Sequence, residues 1–268
     1  VKALSDAMRG LLNLGNSCYF NTAVQCLAHV PPLSKHLFEA DLEGLECDVT
    51  REYQRVAKQL FLKGAGDGPV DPSALLGAFR TRFPSFAGTG QHDTHEVITL
   101  LVDVFEKSLG PKFVQSIFNG TEVQETVYPG GLSSRPSQFV SLILSVEGPC
   151  KLEDLLKTRE KHTGIEGYVD DAGTRHHVAA TRTRVTSWPR VTAFTFSMYS
   201  HKFAIEIPEV FEGRRLFAAV IHQGVSWGGH YLLAVRRFEK WYTKDDDVVT
   251  ELPGPPLNGP FYMVWYRS

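Results

Sequence analysis

The chain's hydrophobic period changes once, between residues 110 and 120, and that change limits the folds open to it. Upstream, apolar residues recur every three or four positions: Phe20, Ala23, Val24 and Leu27; Tyr53, Val56, Ala57, Leu60 and Phe61; Leu75, Leu76 and Phe79; Val97, Leu100, Leu101, Val104 and Phe105. These stripes predict four helices. Asn16 or Ser17 caps the first and Pro31-Pro32 stops it. Asp71-Pro72 reads as a cap followed by proline at the first helical position, and Gly110-Pro111 ends the last. From Gly120 the pattern becomes short β-prone runs, at 121–128, 139–146, 185–188, 191–198, 203–207, 216–222, 231–235, 241–243 and 262–266. Residues 152–156 read as a short helix, and the polar stretch 159–184 as loop. The expectation is an α+β protein of one domain over residues 1–268. A helical lobe over about 1–115 packs on a sheet-rich remainder over about 116–268, with a cleft between them.

Composition narrows the partners. A net charge of −2 in 268 residues predicts no bulk attraction to nucleic acid or anionic membrane. No apolar run reaches the roughly 18–20 residues that span a bilayer. The chain opens on Val1 rather than methionine, which reads as an excised domain. Cys18, Cys26, Cys47 and Cys150 form no C-x-x-C pair and no disulfide framework, so reduced thiols and a cytoplasmic or nuclear setting are expected.

Three short segments carry groups capable of chemistry. Cys18, in Gly15-Asn16-Ser17-Cys18-Tyr19-Phe20-Asn21, sits at a helix start, where unpaired N–H groups and the helix dipole favour a thiolate and lower the thiol pKa. The bland alternative is a small buried hydrophobe. Gly228-Gly229-His230-Tyr231 precedes an apolar run; paired glycines leave room for a peptide to approach, and His230 at a strand entrance can project into a cleft. It also reads as an ordinary strand-edge histidine. Asp245, in Lys244-Asp245-Asp246-Asp247, could accept the second ring N–H of His230 and fix its tautomer, or the three aspartates could simply form a turn.

Together these segments resemble a known family. Gly10-Leu11-Leu12-Asn13-Leu14-Gly15-Asn16-Ser17-Cys18-Tyr19-Phe20-Asn21 resembles the cysteine box of ubiquitin-specific proteases. Ile221-His222-Gln223-Gly224, Gly228-Gly229-His230-Tyr231, Trp241-Tyr242 and Asp245-Asp246-Asp247-Val248-Val249-Thr250 resemble its histidine box. Gln91-His92-Asp93-Thr94-His95-Glu96 resembles the segment between them, and Phe261–Tyr266 its closing strand. The resemblance implies a papain-like cysteine protease with a thumb-like helical lobe, a palm-like sheet lobe and a reduced finger-like β extension. It implies Cys18 as nucleophile, His230 as base and Asp245 as the orienting acid, with Asp246 assisting. Asn13 and the Cys18 N–H would form the oxyanion hole. Gln91, Asp93, His222, Gly228, Gly229 and Tyr231 would line the channel for the substrate tail, although Asp93 also reads as the N-cap of the helix carrying Val97.

The implied partner is ubiquitin or a polyubiquitin conjugate, bound by a monomer that needs no cofactor. Departures from the family pattern concern the fingers. Where the family carries two zinc-binding C-x-x-C pairs, this chain reads Tyr128-Pro129-Gly130-Gly131 and Tyr168-Val169-Asp170-Asp171-Ala172-Gly173, so no metal site is expected there, even with His162, His176 and His177 nearby. The strand Phe194–Tyr199 lacks the family's usual basic pair, and Lys244 stands where an aromatic is common. These changes keep open a peptidase for a ubiquitin-like modifier. The complete Cys18, His230, Asp245 and Asn13 set weighs against a ubiquitin-binding module without activity. The glycine-lined histidine box fits a Gly-Gly tail better than it fits a papain-like acyltransferase.

Overall fold

The computed structural model describes residues 8–62, 66, 68–198, 201–225 and 228–268. Among these, the first lobe consists of α1 (Cys18–Ala28), α2 (Pro31–Glu39), α3 (Asp48–Phe61), α4 (Ser73–Arg82), α5 (Thr94–Leu109) and α6 (Pro111–Phe118). The middle of the chain holds β1 (Gly120–Tyr128), β2 (Gly131–Phe139), β3 (Ser141–Ser145), β4 (Cys150–Lys151), α7 (Leu152–Arg159), β5 (Thr163–Val169) and β6 (Arg175–Ser187). It continues through β7 (Val191–Ser197), β8 (Ile205–Glu206), β9 (Val210–Phe211) and β10 (Arg214–Val225). The last strands are β11 (Gly228–Arg237), β12 (Lys240–Asp245), β13 (Val248–Leu252), β14 (Asn258–Gly259) and β15 (Phe261–Arg267).

The large sheet has the order β13-β12-β11-β10-β15-β7-β3, with β9 added beside β10. Its pairs are antiparallel except β3 with β7. Alternation along its strands supplies two cores. Val220, Leu233, Val235, Met263 and Trp265 face the helices, while Ala219, Ala234, Val264 and Tyr266 face the opposite side. Helix α1 lies between the lobes, packed on β11 and α5. All eleven of its residues are buried, including Asn21, Thr22 and Gln25. A helix enclosed on every side must satisfy its polar side chains from neighbouring elements.

Two prolines expected only as stops are also starts. Pro31 opens α2 and Pro111 opens α6, each within the first turn, where the missing N–H costs nothing. At Asp71-Pro72 the start is displaced by one residue. Pro72 occupies the cap position, α4 begins at Ser73, and the Asp71 carboxylate accepts the Ser73 N–H at 2.8 Å.

The largest departure lies in residues 159–184. Instead of a loop, they contain β5 and most of β6, which join β1 and β2 in a four-stranded finger sheet of order β2-β1-β6-β5. Both faces of β6 are largely wet, so the sequence there carries no inside–outside alternation to reveal a strand. For the same reason β2 escaped the period test. The run at 139–146 splits, with Phe139 ending β2 and β3 starting at Ser141. Tyr199, in the stretch lacking the basic pair, lies outside the described residues.

At the fingertip, the positions aligned with the family's cysteines are bound by packing. Tyr128 and Gly131 close the β1–β2 hairpin. The Tyr128 ring lies 4.4 Å from His176 and 5.3 Å from Tyr168. His176 Nε2 donates to Asp170 Oδ2 at 2.9 Å, and the other Asp170 oxygen accepts the Thr174 N–H at 2.8 Å. The Asp170–His176 hydrogen bond holds the Asp170 carboxyl below the usual range.

Candidate active site

The site starts with an irregular turn. Gly15 and Asn16 both have positive φ, 84° and 50°, and deliver Cys18 to the first position of α1. Ser17 occupies the cap position, but its hydroxyl turns back to accept the Leu14 N–H at 2.8 Å and does not cap the helix. The first N–H groups are therefore left beside the sulfur. The backbone N–H groups of Tyr231, Tyr19 and Cys18 all act on the Cys18 thiol to lower its pKa.

Those donors act against burial, and burial dominates. The Cys18 thiol is 2% exposed and its pKa is raised: desolvation is the largest cause, and the Asp246 charge adds to it. The lowered pKa expected from the helix start alone is thus overturned.

His230 and Asp245 come from neighbouring strands. Leu233 pairs with Lys244 in the β11–β12 register, which sets the start of β11 beside the end of β12. His230 Nε2 hydrogen-bonds Asp245 Oδ1, leaving Nδ1 as the free ring nitrogen. Tyr231, next in sequence to His230, is close enough for its backbone to act on the Cys18 thiol, and α1 packs on β11. The strand end is thus against the helix start, but among the described residues no hydrogen bond joins the thiol to the imidazole. The His230–Asp245 half is assembled and the Cys18–His230 half is open, a separation that such sites can close when substrate binds.

Asp246 takes a different position from its neighbour. It sits in the two-residue turn between β12 and β13 with φ 51°, a conformation aspartate tolerates better than most residues. Its carboxylate accepts Asn13 Nδ2 at 2.6 Å and Asn21 Nδ2 at 2.7 Å, while its carbonyl accepts the Leu11 N–H at 2.9 Å. Gly10 makes this approach possible, because a Cβ there would lie 2.2 Å from the Asp246 carbonyl oxygen. Asp246 therefore holds Asn13 and the α1 entrance, with no hydrogen bond to His230. The Asn13 side-chain oxygen accepts the Gly15 N–H at 2.9 Å and the Ser17 N–H at 3.4 Å, which fixes the amide's orientation.

The remaining candidates surround the β10–β11 hairpin. Gln91 Oε1 accepts the Gly229 N–H at 2.6 Å. A Cβ at Gly229 would lie 2.1 Å from His222 Nε2, so only glycine fits there, whereas the Cβ direction at Gly228 is open. His222 stacks on Tyr231 at 4.4 Å, and Tyr231 meets Tyr262 at 5.5 Å. Asp93 is the N-cap of α5, accepting the His95 and Glu96 N–H groups, and its second oxygen accepts the Tyr262 hydroxyl at 2.5 Å. Sequence reasoning passed over Asn21 and Tyr262. For Asn21 the signal was present, a polar side chain on a helix too apolar to have a wet face.

Among the described residues, the group of side chains close enough to hold a metal ion is His230, Asp245 and Asp246. Each already has a protein partner, and the set lies beside the thiol.

A buried thiol at a helix start, a histidine–aspartate pair on adjacent strands and an amide held toward the same turn are the groups that thiol-dependent acyl transfer uses. The chain belongs to the ubiquitin carboxyl-terminal hydrolase family, whose model matches residues 9–202. It is 29% identical over 294 residues to ubiquitin carboxyl-terminal hydrolase 48 of Danio rerio, covering 92% of this chain and 28% of that protein. It is 23% identical to ubiquitin carboxyl-terminal hydrolase 16 of Arabidopsis thaliana, covering 96% of this chain and 30% of that protein. The chain thus spans less than a third of these two relatives. In structure it resembles Ubp8 in the SAGA Ubp8/Sgf11/Sus1/Sgf73 deubiquitinating module bound to ubiquitin aldehyde, with TM-score 0.84 at 17% identity, over 100% of this chain and 71% of that one.

Proposed function

We propose that this chain is a deubiquitinase, hydrolysing the peptide or isopeptide bond after the C-terminal glycine of ubiquitin. The observation that carries this reading is the His230–Asp245 pair on β11 and β12, set against the α1 start that bears Cys18. Support comes from relatives named ubiquitin carboxyl-terminal hydrolases and from the ubiquitin aldehyde bound to the Ubp8 module.

Substrate closure brings His230 Nδ1 onto the thiol and transfers the proton from sulfur to the ring, while Asp245 holds Nε2. The thiolate attacks the glycine carbonyl carbon. The oxyanion accepts the Cys18 N–H and the Asn13 N–H not used by Asp246, a donor type whose loss costs about 2.7–4 kcal/mol of transition-state stabilisation. His230 then passes its proton to the departing lysine amine, leaving a thioester. Water, deprotonated by His230, attacks that thioester and frees the carboxylate and the thiol. Gln91 acts at one remove, fixing the strand entrance through Gly229.

The test is release of a fluorescent amine from the C-terminus of ubiquitin, run beside ubiquitin-like modifiers and Cys18→Ala. Turnover of ubiquitin that disappears in Cys18→Ala supports the reading. Turnover of another modifier alone transfers the same chemistry to that modifier, and binding without turnover by wild-type protein removes the enzymatic reading.

A further inference from the structure

At the far end of β11 from His230, a cavity of about 840 Å³ opens between α2, α3 and the β11–β12 turn. Eight residues of strand, roughly 26 Å, separate the two places. The cavity is not part of the active site. Its size is within the range of built ligand sites, about 300–1,000 Å³.

Its walls and rim differ in character. Phe38, Phe61, Leu62 and Phe238 supply apolar wall. Around them stand Lys35 from α2, Lys58 from α3, Arg236 and Arg237 from β11, and Arg267 from β15, against a lining acid, Glu39. Arg236 is paired with Glu239, and Arg267 donates to the His29 carbonyl at 3.1 Å. Lys35 and Lys58 form no ion pair among the described residues. An apolar floor under a polar rim in which cations outnumber the one lining acid matches the anatomy of a protein-binding surface.

The β11–β12 turn adds an independent sign. Phe238 and Glu239 occupy its two central positions with φ 50° and 63°, where asparagine and glycine are the unstrained choices. For a bulky aromatic this is strained backbone, and such strain collects where a side chain must be presented. Phe238 is held 55% exposed at the cavity mouth, with its ring against the Arg237 guanidinium, which also lies over Phe61. Below, buried His29 directs Nδ1 to the Gln25 carbonyl and leaves Nε2 without a partner. Burial, with help from nearby cations, keeps that ring neutral, so it offers a lone pair.

We infer that this cavity is a docking site for an acidic peptide segment of a partner protein, one that inserts an aromatic or large aliphatic side chain between Phe38, Phe61 and Phe238 and sets its carboxylates against Lys35 and Lys58. The site needs neither Cys18 nor ubiquitin, so it stands or falls separately from the proposed activity.

The experiment is fluorescence anisotropy of the whole chain with a fluorescein-labelled peptide, EDFEDLE, beside EDGEDGE and KKFKKLK and with dodecanoate as competitor. Saturable binding of EDFEDLE, at least about tenfold tighter than either control peptide, is expected, with a further loss of about tenfold in the Lys35→Glu/Lys58→Glu variant. Phe238→Ser should weaken binding as well. Ubiquitin turnover should stay at the wild-type rate in the double variant, which shows that it is folded. Absence of saturation, equal binding of KKFKKLK, or indifference to the charge reversal would overturn the inference. Dodecanoate binding without peptide binding would also overturn it, making the occupant a small amphiphile.

Discussion

Lys244 reaches through the interior to donate to the backbone carbonyl of Arg9 at 2.8 Å, from a side chain with almost no exposure to water. This tie lies one residue before Asp245 and one residue before Gly10, so it fastens the strand end bearing the acid to the segment leading into Asn13. Burial, with the Arg237 charge behind it, lowers the Lys244 pKa to about 7. In an unfolded chain the same group titrates near 10.4.

A pH dependence of stability follows from that difference. Between about pH 7 and 10.4 the unfolded chain holds a Lys244 proton that the folded chain has given up, so unfolding takes up a proton. The Lys244 contribution is therefore fully present above about 10.4 and is lost as pH falls to about 7. Urea unfolding of wild type and Lys244→Met at pH 6, 7.5 and 9 should show a stability difference that moves in favour of wild type as pH rises. A constant difference would mean that Lys244 stays charged in the folded protein.

The two aspartates should fail in different ways. Asp245→Ala removes the partner of His230 Nε2, and the pH profile of kcat/KM should shift along with its magnitude. Asp246→Ala frees Asn13 and Asn21 and removes a charge that raises the Cys18 pKa, so kcat should fall while the limb set by the thiol moves to lower pH. Interchanged signatures would assign Asp246 to the histidine.

Cys18→Ala and His230→Ala should each lower turnover by at least about 10³-fold, because residues acting as a unit lose nearly everything together. Ubiquitin binding, read by calorimetry, should survive in Cys18→Ala. Substantial residual turnover in either variant would remove these residues from the reaction.

Asn21→Ala strips one buried donor from Asp246 and leaves a charged carboxylate short of a partner, at a cost of about 1–3 kcal/mol. The loss should appear as a lower urea midpoint and, through Asn13, as reduced kcat with KM little changed. Unaltered stability would mean that the α1 entrance is held elsewhere.

At the fingertip, Tyr128, Tyr168 and Asp170 lie in the two stretches where the family resemblance places the zinc-binding cysteine pairs, and His176 packs against them. A chelator should leave the melting temperature and turnover unchanged, and elemental analysis of purified protein should find no stoichiometric zinc. His176→Ala should speed amide exchange across β1, β5 and β6 while α1 through α5 keep their protection. A chelator-induced drop in melting temperature would put a metal back in the fingers.

How much of this was legible depends on whether a residue's neighbours are close in sequence. The α1, α3 and α5 stripes are local and were readable, as were β7, β10, β11 and β15, whose faces are dry. Of the finger strands, β1 was readable at 121–128, but β2, β5 and most of β6 were not, because strands with water on both faces print no alternation. Pro31 and Pro111 were read as stops although each also satisfies the rule for a first helical turn. At the site, the three chemistry-bearing segments stood out, and their resemblance to a family put them together. The raised Cys18 pKa was invisible, since a helix start predicts a low value and only tertiary packing around α1 supplies the desolvation that overrides it. The claim on Asp246 by Asn13 and Asn21 was equally hidden, because those contacts join residues more than two hundred positions apart.

The joining of Leu11 to Asp246 has a consequence for synthesis. Cys18 precedes His230 by 212 residues, and the turn that steadies Asn13 comes later still. At roughly 5–20 residues per second, a ribosome exposes the thiol on the order of 10–40 s before the base emerges. During that interval the nascent chain carries a cysteine with neither its imidazole nor its oxyanion amide in place, so the reaction stays switched off until the closing strands have been made.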